Sequence, residues 1–371
     1  DLIPSDQLDY IMGNPPFVGA RLINESQRKD VNIIFDGWKN SGELDYVSCW
    51  FKIAADYIVN TKIVCGFVAT NSICQGESVG NLWEPLMNYG IQIDFAYRTF
   101  NWSSEASEQA GVHCVIIGFS YYYKKQKKIF DGMNVIMAKN INAYLLDADN
   151  IFVSKRTTPL CHVHKLHKGC QPTDGGNLII EADELDDFLN KEPKAIKYIK
   201  KLIGAKELTL GTTRYCLWLV GISPSELQSM PYVKKRVDGC RKMRLAAKDK
   251  GTQRLADRPY EFRETYNYDS YIAIPMTTTI NRRYIPMGFF GKDTISTNLN
   301  LIMENATLYD FGILESNIHM AWVRVVCGKM RIHYRYSAGV VYNNFPWPSP
   351  TPDQKSRIEQ TAQAILDARD L

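Results

Sequence analysis

The residues best suited to chemistry are Asn14, Pro15, Pro16 and Phe17, which closely follow a short, mostly apolar run at positions 8–12. Such a run predicts a buried strand. If that strand is parallel to its neighbours, the loop lies at the carboxyl edge of the sheet, where open α/β sheets bind ligands. The alternative is an ordinary turn that ends a strand, in which proline is also common.

An amide, a fixed carbonyl and an aromatic ring can together bind a heteroaromatic ring that carries an exocyclic amine. The amine of adenine is a poor nucleophile because its lone pair is delocalised into the ring. The amide oxygen of Asn14 and the carbonyl of Pro15 can accept hydrogen bonds from its two N–H groups. These hydrogen bonds localise the lone pair on the nitrogen for attack on a sulfonium methyl group. Proline fixes φ and removes a competing donor, and Phe17 offers a face on which an extruded base can stack.

The elements that must position this loop alternate between helix-like and strand-like patterns over the first 120 residues. Apolar residues recur at helical spacing over 45–59, and a continuous apolar run at 63–69 predicts a strand covered on both faces. Further strands are predicted at 92–97 and 112–122. The alternation favours a mostly parallel α/β sheet, with Trp50 and Phe67 in its core.

The pattern changes at about residue 155. Residues 183–203 begin with acidic and end with basic side chains, which suits one helix and its dipole. Short aromatic-rich runs follow, and together they predict an α+β domain. Four prolines between positions 346 and 352 predict a stiff linker, and the last residues an amphipathic helix. The expected domains are therefore 1–155, 156–348 and 349–371, the last being the linker and the start of a helical region.

Composition excludes several classes of protein. The chain is 45% hydrophobic and 23% charged with a net charge of +4, which rules out disordered, collagenous and coiled-coil proteins. Its longest apolar runs have the length of strands, so we expect no membrane segment. Nine scattered cysteines suit reduced thiols in the cytoplasm. The chain begins with Asp1 rather than Met, and we expect it to be part of a longer protein.

One cluster suggests a metal site. Two cysteines and three histidines fall within ten residues, at positions Cys161, His162, His164, His167 and Cys170. Structural zinc sites usually draw their four ligands from two separated pairs, and no second pair follows here. A solvated basic loop is the better interpretation, so we expect no metal.

The charge distribution favours a nucleic-acid partner. Residues 232–263 carry eleven Lys and Arg against four acids, a net charge of +7. Such a stretch neutralises phosphates and binds DNA with a steep salt dependence, although many basic stretches are only solvated surfaces. The candidate phosphate contacts are Lys234, Lys235, Arg236 and Arg241. The candidate base readers, chosen as amides and forked or charged donors, are Asn281, Arg282, Arg283, Lys292, Arg331 and Arg335.

Several further segments match the motifs of one family. They are LDYV at 44–47, FVATNSI at 67–73 with QGE at 75–77, FAYRTFNWSSEA at 95–106 and VHCVIIGF at 112–119. With Asn14–Phe17 they resemble amino-methyltransferase motifs, most closely those of the type IIL (MmeI-like) restriction–modification enzymes. The segments PTDGGN at 172–177, RYCLWL at 214–219, YIPMGF at 284–289 and the run 311–348 resemble that family's target-recognition domain.

The resemblance covers almost the whole chain and implies a site-specific DNA methyltransferase. It implies the C-terminal half of a Rossmann-like methyltransferase sheet, followed by an α+β target-recognition domain. The activity would be metal-free methyl transfer from S-adenosylmethionine to N6 of a flipped adenine in double-stranded DNA, by a monomer. Asn14, Pro15, Pro16 and Phe17 would hold the adenine. Asp45 and Tyr46 would shape the methyl-donor and base pocket, and Phe100 or Trp102, expected in the loop after strand 92–97, would stack on the second face of the base.

The family's cofactor motif lies before the catalytic loop, and residues 1–371 contain no G-x-G-x-x-G loop. We therefore expect the isolated chain to bind S-adenosylmethionine poorly and to be inactive. Two alternatives stay open. The chain is a DNA-binding specificity module without activity of its own, or it is a protein or RNA amino-methyltransferase, which its long basic second half disfavours.

Overall fold

The computed structural model describes residues 3–102, 111–330 and 333–369. The chain forms two compact units. The first consists of Asp1–Thr157, Trp322–Ile332 and Gly339–Asn344, and the second of Thr158–Ala321, His333–Ala338 and Phe345–Leu371. The first unit is therefore completed by two segments from the end of the chain.

The described part of the first unit contains one six-stranded sheet with the order β1-β2-β4-β3-β5-β6. Its strands are β1 (Tyr10–Gly13), β2 (Val64–Thr70), β3 (Gln92–Trp102), β4 (Val112–Ser120), β5 (Lys127–Asp131) and β6 (Asn134–Ala138). Its helices are α1 (Glu25–Ile34), α2 (Ser48–Tyr57) and α3 (Glu84–Asn88), with short 3-10 turns at Ser5–Gln7, Ser41–Glu43 and Asn71–Cys74 and a π-helical turn at Val79–Trp83.

The sheet is mixed rather than mostly parallel. Strand β1 is parallel to β2, and β3 is parallel to β5, but β4 lies between β2 and β3 and is antiparallel to both. Strands β5 and β6 are antiparallel as well. The sequence prediction was wrong because an apolar run specifies that a strand is buried and does not specify its direction.

The first strand is also more exposed than predicted. Within the described residues β1 pairs only with β2, so it forms an edge of the sheet. Tyr10 is 69% and Met12 84% exposed. The apolar run at 8–12 therefore does not mark a buried strand in this structure, although a strand does lead directly into the Asn14 loop.

Helix α2 covers one face of the sheet and forms the core of the first unit. Phe51 packs against Phe67 of β2 and Phe119 of β4, with ring centroids 5.4 Å apart in both pairs. All three rings are buried, and dense packing of such rings contributes strongly to stability. The prediction that Phe67 belongs to the core is confirmed, whereas Trp50 is only half-buried at the margin of the core.

The second unit contains short strands and helices in an α+β arrangement. Its strands are β7 (Leu166–Lys168), β8 (Ile179–Glu181), β9 (Ile199–Ile203), β10 (Arg214–Leu217), β11 (Tyr271–Pro275), β12 (Thr277–Thr279), β13 (Gly288–Phe290), β14 (Thr294–Ser296) and β15 (Asn300–Glu304), with β17 (His333–Arg335) after the short β16 (Lys329–Met330) of the first unit. Its helices are α4 (Leu185–Lys191), α5 (Ala205–Leu210), α6 (Pro224–Gln228), α7 (Pro231–Ala246), α8 (Lys250–Arg254), α9 (Leu308–Leu314) and α11 (Pro352–Arg369), while α10 (Asn317–Val326) passes from the second unit into the first.

Two four-stranded sheets organise the described part of this unit. Their orders are β14-β9-β10-β8 and β13-β11-β15-β7, and β12 pairs separately with β17. The single helix predicted for 183–203 was wrong, because α4 ends before Pro193 and the last five residues form β9. The fold class itself, an α/β unit followed by an α+β unit, is confirmed.

Helix α11 packs on the second unit. Ile358 and Ala362 lie against Gly312 of α9, and the guanidinium of Arg369 donates to the carboxylate of Glu315 at 2.8 Å. Whether residues 349–371 begin a further helical region stays a prediction. None of the helices in the described ranges is long and apolar enough to cross a membrane.

Candidate active site

The Asn14 loop begins where β1 ends. Gly13 is the last residue of β1 and pairs with Phe67 of β2, so the parallel strands β1 and β2 have their carboxyl ends at one edge of the sheet. Asn14 is exposed, Pro15 is buried and Phe17 is half-buried against the core. The structure therefore places an exposed amide and a buried proline at the edge where open α/β sheets bind ligands.

A cavity of about 510 Å³ adjoins this loop. Asn14, Pro15 and Pro16 line one side, and α2 contributes Trp50 and Tyr57. The remaining lining is mainly aliphatic. Aromatic and aliphatic walls with a few polar groups are typical of pockets that bind flat heteroaromatic molecules.

Asp45 connects the loops that follow β1 and β2. Its Oδ1 accepts a hydrogen bond from the backbone N–H of Ala20 at 2.8 Å, and its Oδ2 accepts one from the Ser72 hydroxyl at 2.5 Å. Both carboxylate oxygens thus have partners in the protein. Asp45 lies three residues before α2 rather than in it. From this position its carboxylate joins the two loops, and we call this pair of hydrogen bonds the Asp45 clamp.

Tyr46 also supports the Asn14 loop. Its backbone N–H donates to the carbonyl of Val18 at 2.8 Å, and its hydroxyl donates to Asp30 of α1 at 2.6 Å. This hydrogen bond to a carboxylate raises the pKa of Tyr46 to about 12, so the hydroxyl stays protonated as a donor. Tyr46 therefore joins α1 to the loop that contains Asn14.

Phe100 and Trp102 lie in β3 and not in the loop that the sequence predicted. The strand runs on to Trp102, and Phe100 and Trp102 pair with Cys114 and Val112 of β4. The two rings are half-buried, with centroids 6.3 Å apart. Strand β3 is antiparallel to β4, as β2 is, so both rings lie toward the same edge of the sheet as the Asn14 loop.

Sequence reasoning missed Ser72 and Tyr57 as parts of this site. Ser72 follows β2 and accompanies Asn71, and polar residues just after a buried strand are a signal that would have found it. Tyr57 lies at the end of α2 and lines the cavity beside Asn14. Its position depends on how α2 packs, which no local pattern specifies.

The basic stretch of the second unit divides into exposed and buried cations. Lys235, Arg241 and Lys242 are exposed on α7, and Lys234 forms a 3.0 Å ion pair with Asp238. Arg244 is fully buried and donates to five backbone carbonyls, those of Pro172, Thr173, Leu255, Arg258 and Glu261, at 2.7–3.1 Å. Arg244 thus contributes to folding, although its charge belongs to the +7 stretch.

Arg236 is primarily structural as well. Its Nε donates to the carbonyl of Asn177 at 2.7 Å and its Nη2 to that of Ile179 at 2.5 Å, and the guanidinium lies 5.5 Å from the centroid of the Phe188 ring. These contacts occupy two of its three nitrogen atoms. The exposed lysines beside it border a cleft of about 880 Å³ whose lining includes Lys234, Lys235 and Lys242.

The candidate base readers fall into two places. Strand β12 pairs with β17 so that Thr277 lies opposite Arg335, and Asn281, Arg282 and Arg283 follow in the turn after β12. These four side chains are exposed, although Arg282 also donates to the carbonyl of Thr209 at 2.6 Å. Lys292 lies apart, between β13 and β14, within 3.8 Å of Asp269. Arg331 is outside the described residues.

The cysteine–histidine segment does not converge on one point. His164 Nδ1 lies 3.1 Å from the Asp310 carboxylate, and His167 Nε2 lies 3.2 Å from the Tyr268 hydroxyl. Cys170 is buried and its thiol donates to the carbonyl of Tyr266. In the part of the chain that the structure describes, no group of three potential ligands is placed to hold a metal ion.

These features define an α/β unit of the methyltransferase type, with an Asn-Pro-Pro-Phe loop at its sheet edge, joined to an α+β unit with a cationic surface. Comparison with known families agrees with this class. Residues 2–131 match the family described as the MmeI DNA-methyltransferase domain, and residues 147–349 match the MmeI target recognition domain. The chain belongs to the MmeI family.

Two relatives support the assignment over nearly the full chain. It is 42% identical over 363 residues to DNA methyltransferase A of Bacillus subtilis (strain 168), covering 97% of this chain and 41% of that protein. It is 40% identical to the type IIL restriction–modification enzyme MmeI, solved in complex with DNA, with a TM-score of 0.91 over 98% of this chain and 51% of the MmeI chain. The chain thus spans about half the length of these relatives or less.

Proposed function

We propose that this chain contains the target-adenine loop and the sequence-reading unit of a restriction–modification enzyme that methylates adenine at N6 in double-stranded DNA. The observation that carries the proposal is the placement of Asn14 and Pro15 at the carboxyl end of β1, beside a cavity with aromatic walls. Membership of the MmeI family supports the proposal, because it joins this loop to a target-recognition domain.

The proposed chemistry is direct transfer to the exocyclic amine. When bound, S-adenosylmethionine supplies the electrophilic methyl group. The side-chain oxygen of Asn14 and the carbonyl of Pro15 accept hydrogen bonds from the two N–H groups of the amine. This localises the nitrogen lone pair and orients it for attack. The exposed position of Asn14 leaves room for the base to enter and for solvent to take up the released proton. No metal is needed, because the donor is already activated and the acceptors are an amide and a carbonyl.

The surrounding residues would hold the base and shape the pocket. Phe17 stacks on one face of the extruded adenine, and Phe100 or Trp102 on the other. The cavity beside Asn14 fits a heteroaromatic group of the methyl donor or the base, because Trp50 and Tyr57 give it aromatic walls. Asp45 and Tyr46 act indirectly, by holding the segment 18–20 that continues the Asn14 loop.

DNA contact is assigned to the exposed cations of the second unit. Lys234, Lys235 and Arg241 on α7 would contact phosphates, with a smaller contribution from Arg236, whose remaining nitrogen is available. The base readers would be the exposed side chains around β12 and β17, with Lys292 and Arg331 as further candidates. They are Asn281, Arg282, Arg283 and Arg335.

The test measures where tritium from labelled S-adenosylmethionine goes when the complete protein acts on duplex DNA. Digestion of the DNA should give N6-methyladenine, and the Asn14→Ala variant should lose the activity. Label on N4 of cytosine would contradict the adenine assignment. Label on an RNA or on a glutamine peptide instead of the duplex would favour the other amino-methyltransferase classes.

For residues 1–371 alone, we propose a DNA-binding module that binds S-adenosylmethionine weakly and does not methylate. The absence of a Gly-rich cofactor loop from the printed sequence supports this second candidate. Titration calorimetry on residues 1–371 should give no saturable heat at micromolar cofactor, and micromolar affinity would contradict it. We also propose that the protein is a monomer and that it is cytoplasmic, the location being in keeping with nine free cysteines.

A further inference from the structure

Strand β3 contains a β-bulge directly before Phe100. Tyr97 of β3 pairs with Ile116 of β4, and the next pair in this direction joins Phe100 to Cys114. Three steps along β3 thus match two steps along β4, so the two residues between Tyr97 and Phe100 oppose a single residue of β4. Bulges of this kind re-aim the side chains that follow them and are frequent next to active sites.

The bulge places three aromatic rings on one face of the sheet. Side chains alternate between the two faces of a regular strand, so Tyr97 and Phe100, three residues apart, would point to opposite faces. Their partners Ile116 and Cys114 are two residues apart and share a face, and directly opposite residues of an antiparallel pair also share a face. Tyr97 and Phe100 therefore lie on the same face, with ring centroids 5.3 Å apart, and the ring of Trp102 continues the row 6.3 Å from that of Phe100.

The same face of the sheet carries a cavity that the Asn14 loop borders. This cavity has a volume of about 440 Å³, and both Asn14 and Ile116 line it. Ile116 shares its face with Tyr97, because the two are direct partners in β4 and β3. In a regular strand the ring of Phe100 would point to the other face, where Phe119 packs against α2. The bulge therefore turns Phe100 to the face on which Asn14 borders a cavity.

Arg98, the first residue of the bulge, is held by two partners outside β3 and β4. Its Nε donates to the carbonyl of Leu145 at 3.1 Å, and its Nη1 donates to the carboxylate of Asp131 at 2.9 Å. Asp131 is the last residue of β5, which pairs with β3 on the side away from β4. A guanidinium donates in fixed directions from a rigid planar group. Two such hydrogen bonds therefore fix the position of Arg98 and, with it, the backbone of the bulge.

We propose that Arg98 is a positioning residue for methylation, because it locks the bulge that turns Phe100 and Trp102 toward the extruded base. This inference rests on the proposed function, since it takes an extruded adenine as the group that the rings contact. Arg98 acts through the rings and does not itself contact the base. Stacking on aromatic rings stabilises an extruded base, so loss of the bulge should lower the fraction of target adenine that is extruded. The phosphate contacts of the second unit should stay as they are.

The experiment measures the single-turnover rate of methyl transfer by the complete protein on two duplexes. One duplex holds the target adenine opposite thymine, and the other holds it opposite a mismatched base, which lowers the cost of extrusion. Arg98→Met should be about 10- to 100-fold slower than the unmodified protein on the matched duplex, and less than about threefold slower on the mismatched one. Arg98→Lys keeps the charge but not the planar set of donors, so its rate on the matched duplex should be intermediate. The control Lys125→Met removes an exposed cation between β4 and β5 and should match the unmodified protein on both duplexes.

Two outcomes would overturn the inference. Equal losses of rate on the two duplexes would mean that Arg98 supports the fold or the binding of DNA, and no loss on either duplex would mean that the rings do not depend on it. If Arg98→Met does not fold, Asp131→Ala removes the exposed carboxylate that accepts from Arg98 and should give the same pattern with a smaller loss. If the unmodified protein methylates adenine in neither duplex, the proposed function itself fails.

Discussion

The carboxylate of Asp45 accepts a 2.5 Å hydrogen bond from the hydroxyl of Ser72, which joins the segment before α2 to the loop after β2. The same carboxylate accepts from the backbone N–H of Ala20, six residues beyond Asn14. One side chain therefore connects the loops that follow two parallel strands. A site built from separate loops needs such a connection, because small displacements of reacting groups cost large factors in rate.

The first prediction concerns this clamp. Asp45→Asn replaces one acceptor oxygen by a donor, so it cannot accept from both Ser72 and Ala20. Methyl transfer by the complete protein should fall about 10- to 100-fold, with a loss of about 1–3 kcal/mol in unfolding free energy. Ser72→Ala should give a smaller loss of the same kind. The control is Asp56→Asn on α2, which changes an exposed carboxylate and should leave the rate of methyl transfer unchanged. If Asp45→Asn and this control have equal rates, Asp45 does not act as a clamp.

The second prediction concerns Asn14. Asn14→Ala removes an acceptor proposed to act on the developing positive charge of the amine, so the single-turnover rate should fall at least about 100-fold. Duplex affinity measured by anisotropy should change less than about threefold, because the phosphate contacts are elsewhere. Asn32→Ala, at an exposed position of α1, is the matched control. Equal losses of rate and affinity in Asn14→Ala would indicate a role in binding only.

The third prediction separates the two kinds of cation on α7. Arg244→Met leaves five backbone carbonyls without the donor that a buried guanidinium supplies, so the unfolding free energy should fall by about 3–5 kcal/mol in urea titrations. Arg241→Met, three residues earlier and exposed, should change stability by less than about 0.5 kcal/mol. It should instead lower the salt slope of DNA binding by about 0.9. A stable Arg244→Met protein with reduced DNA affinity would reverse this division.

The fourth prediction concerns pH. His319 is buried, with Nδ1 2.8 Å from the carbonyl of Leu314 and Nε2 3.0 Å from the Tyr336 hydroxyl. Burial lowers its pKa from 6.5 to about 4, so the folded protein keeps it neutral. Below pH 6.5 the unfolded protein binds a proton at this histidine, whereas the folded protein binds it only near pH 4. The unfolding free energy therefore falls as the pH drops from 6.5 to 4, and the loss reaches about 3 kcal/mol at pH 4.

Urea unfolding of the protein between pH 7 and pH 4.5 tests this. His319→Gln should have a smaller dependence of unfolding free energy on pH over that range, whatever its stability at pH 7. His162→Gln, at an exposed position, should keep the dependence of the unmodified protein. Parallel curves for all three proteins would mean that His319 does not contribute to acid sensitivity.

The fifth prediction concerns base readout. Exchange of Arg335 or Arg283 for Gln should change the base tolerated at one position of the recognised sequence, by about 1–3 kcal/mol of discrimination. Lys235→Gln on α7 should weaken methylation of all sites alike. Methylome sequencing of cells that express each complete variant separates the outcomes, and a uniform loss in the Arg335 variant would assign it to phosphate contact.

Local patterns in the sequence were enough for the parts of the fold that depend on neighbouring residues. The Asn14 loop after a strand and the α2 helix with buried Phe51 both follow from spacing and composition. The resemblance to the MmeI family, carried by concatenated motifs, was also readable from the residues and is confirmed.

Contacts between distant residues decided the rest. The directions of the strands in the mixed sheet depend on the pairing of β4 with its neighbours. The prediction of a single helix for 183–203 was wrong because β9 forms hydrogen bonds with β10 and β14. The extension of β3 to Trp102 likewise depends on pairing with β4. Hydrogen bonding to a partner strand is not encoded in the local periodicity of either strand.

The sequence by itself determined the class of chemistry, the order of the two units and the amount of positive charge in the second. Only the tertiary structure decided which of those charges face solvent. Lys242 and Arg244 are two residues apart on one helix, yet one is exposed and the other is buried among five carbonyls. The difference arises because a helix turns about 100° per residue, so packing against α8 and the segments around it, rather than composition, decides which cations solvent can reach.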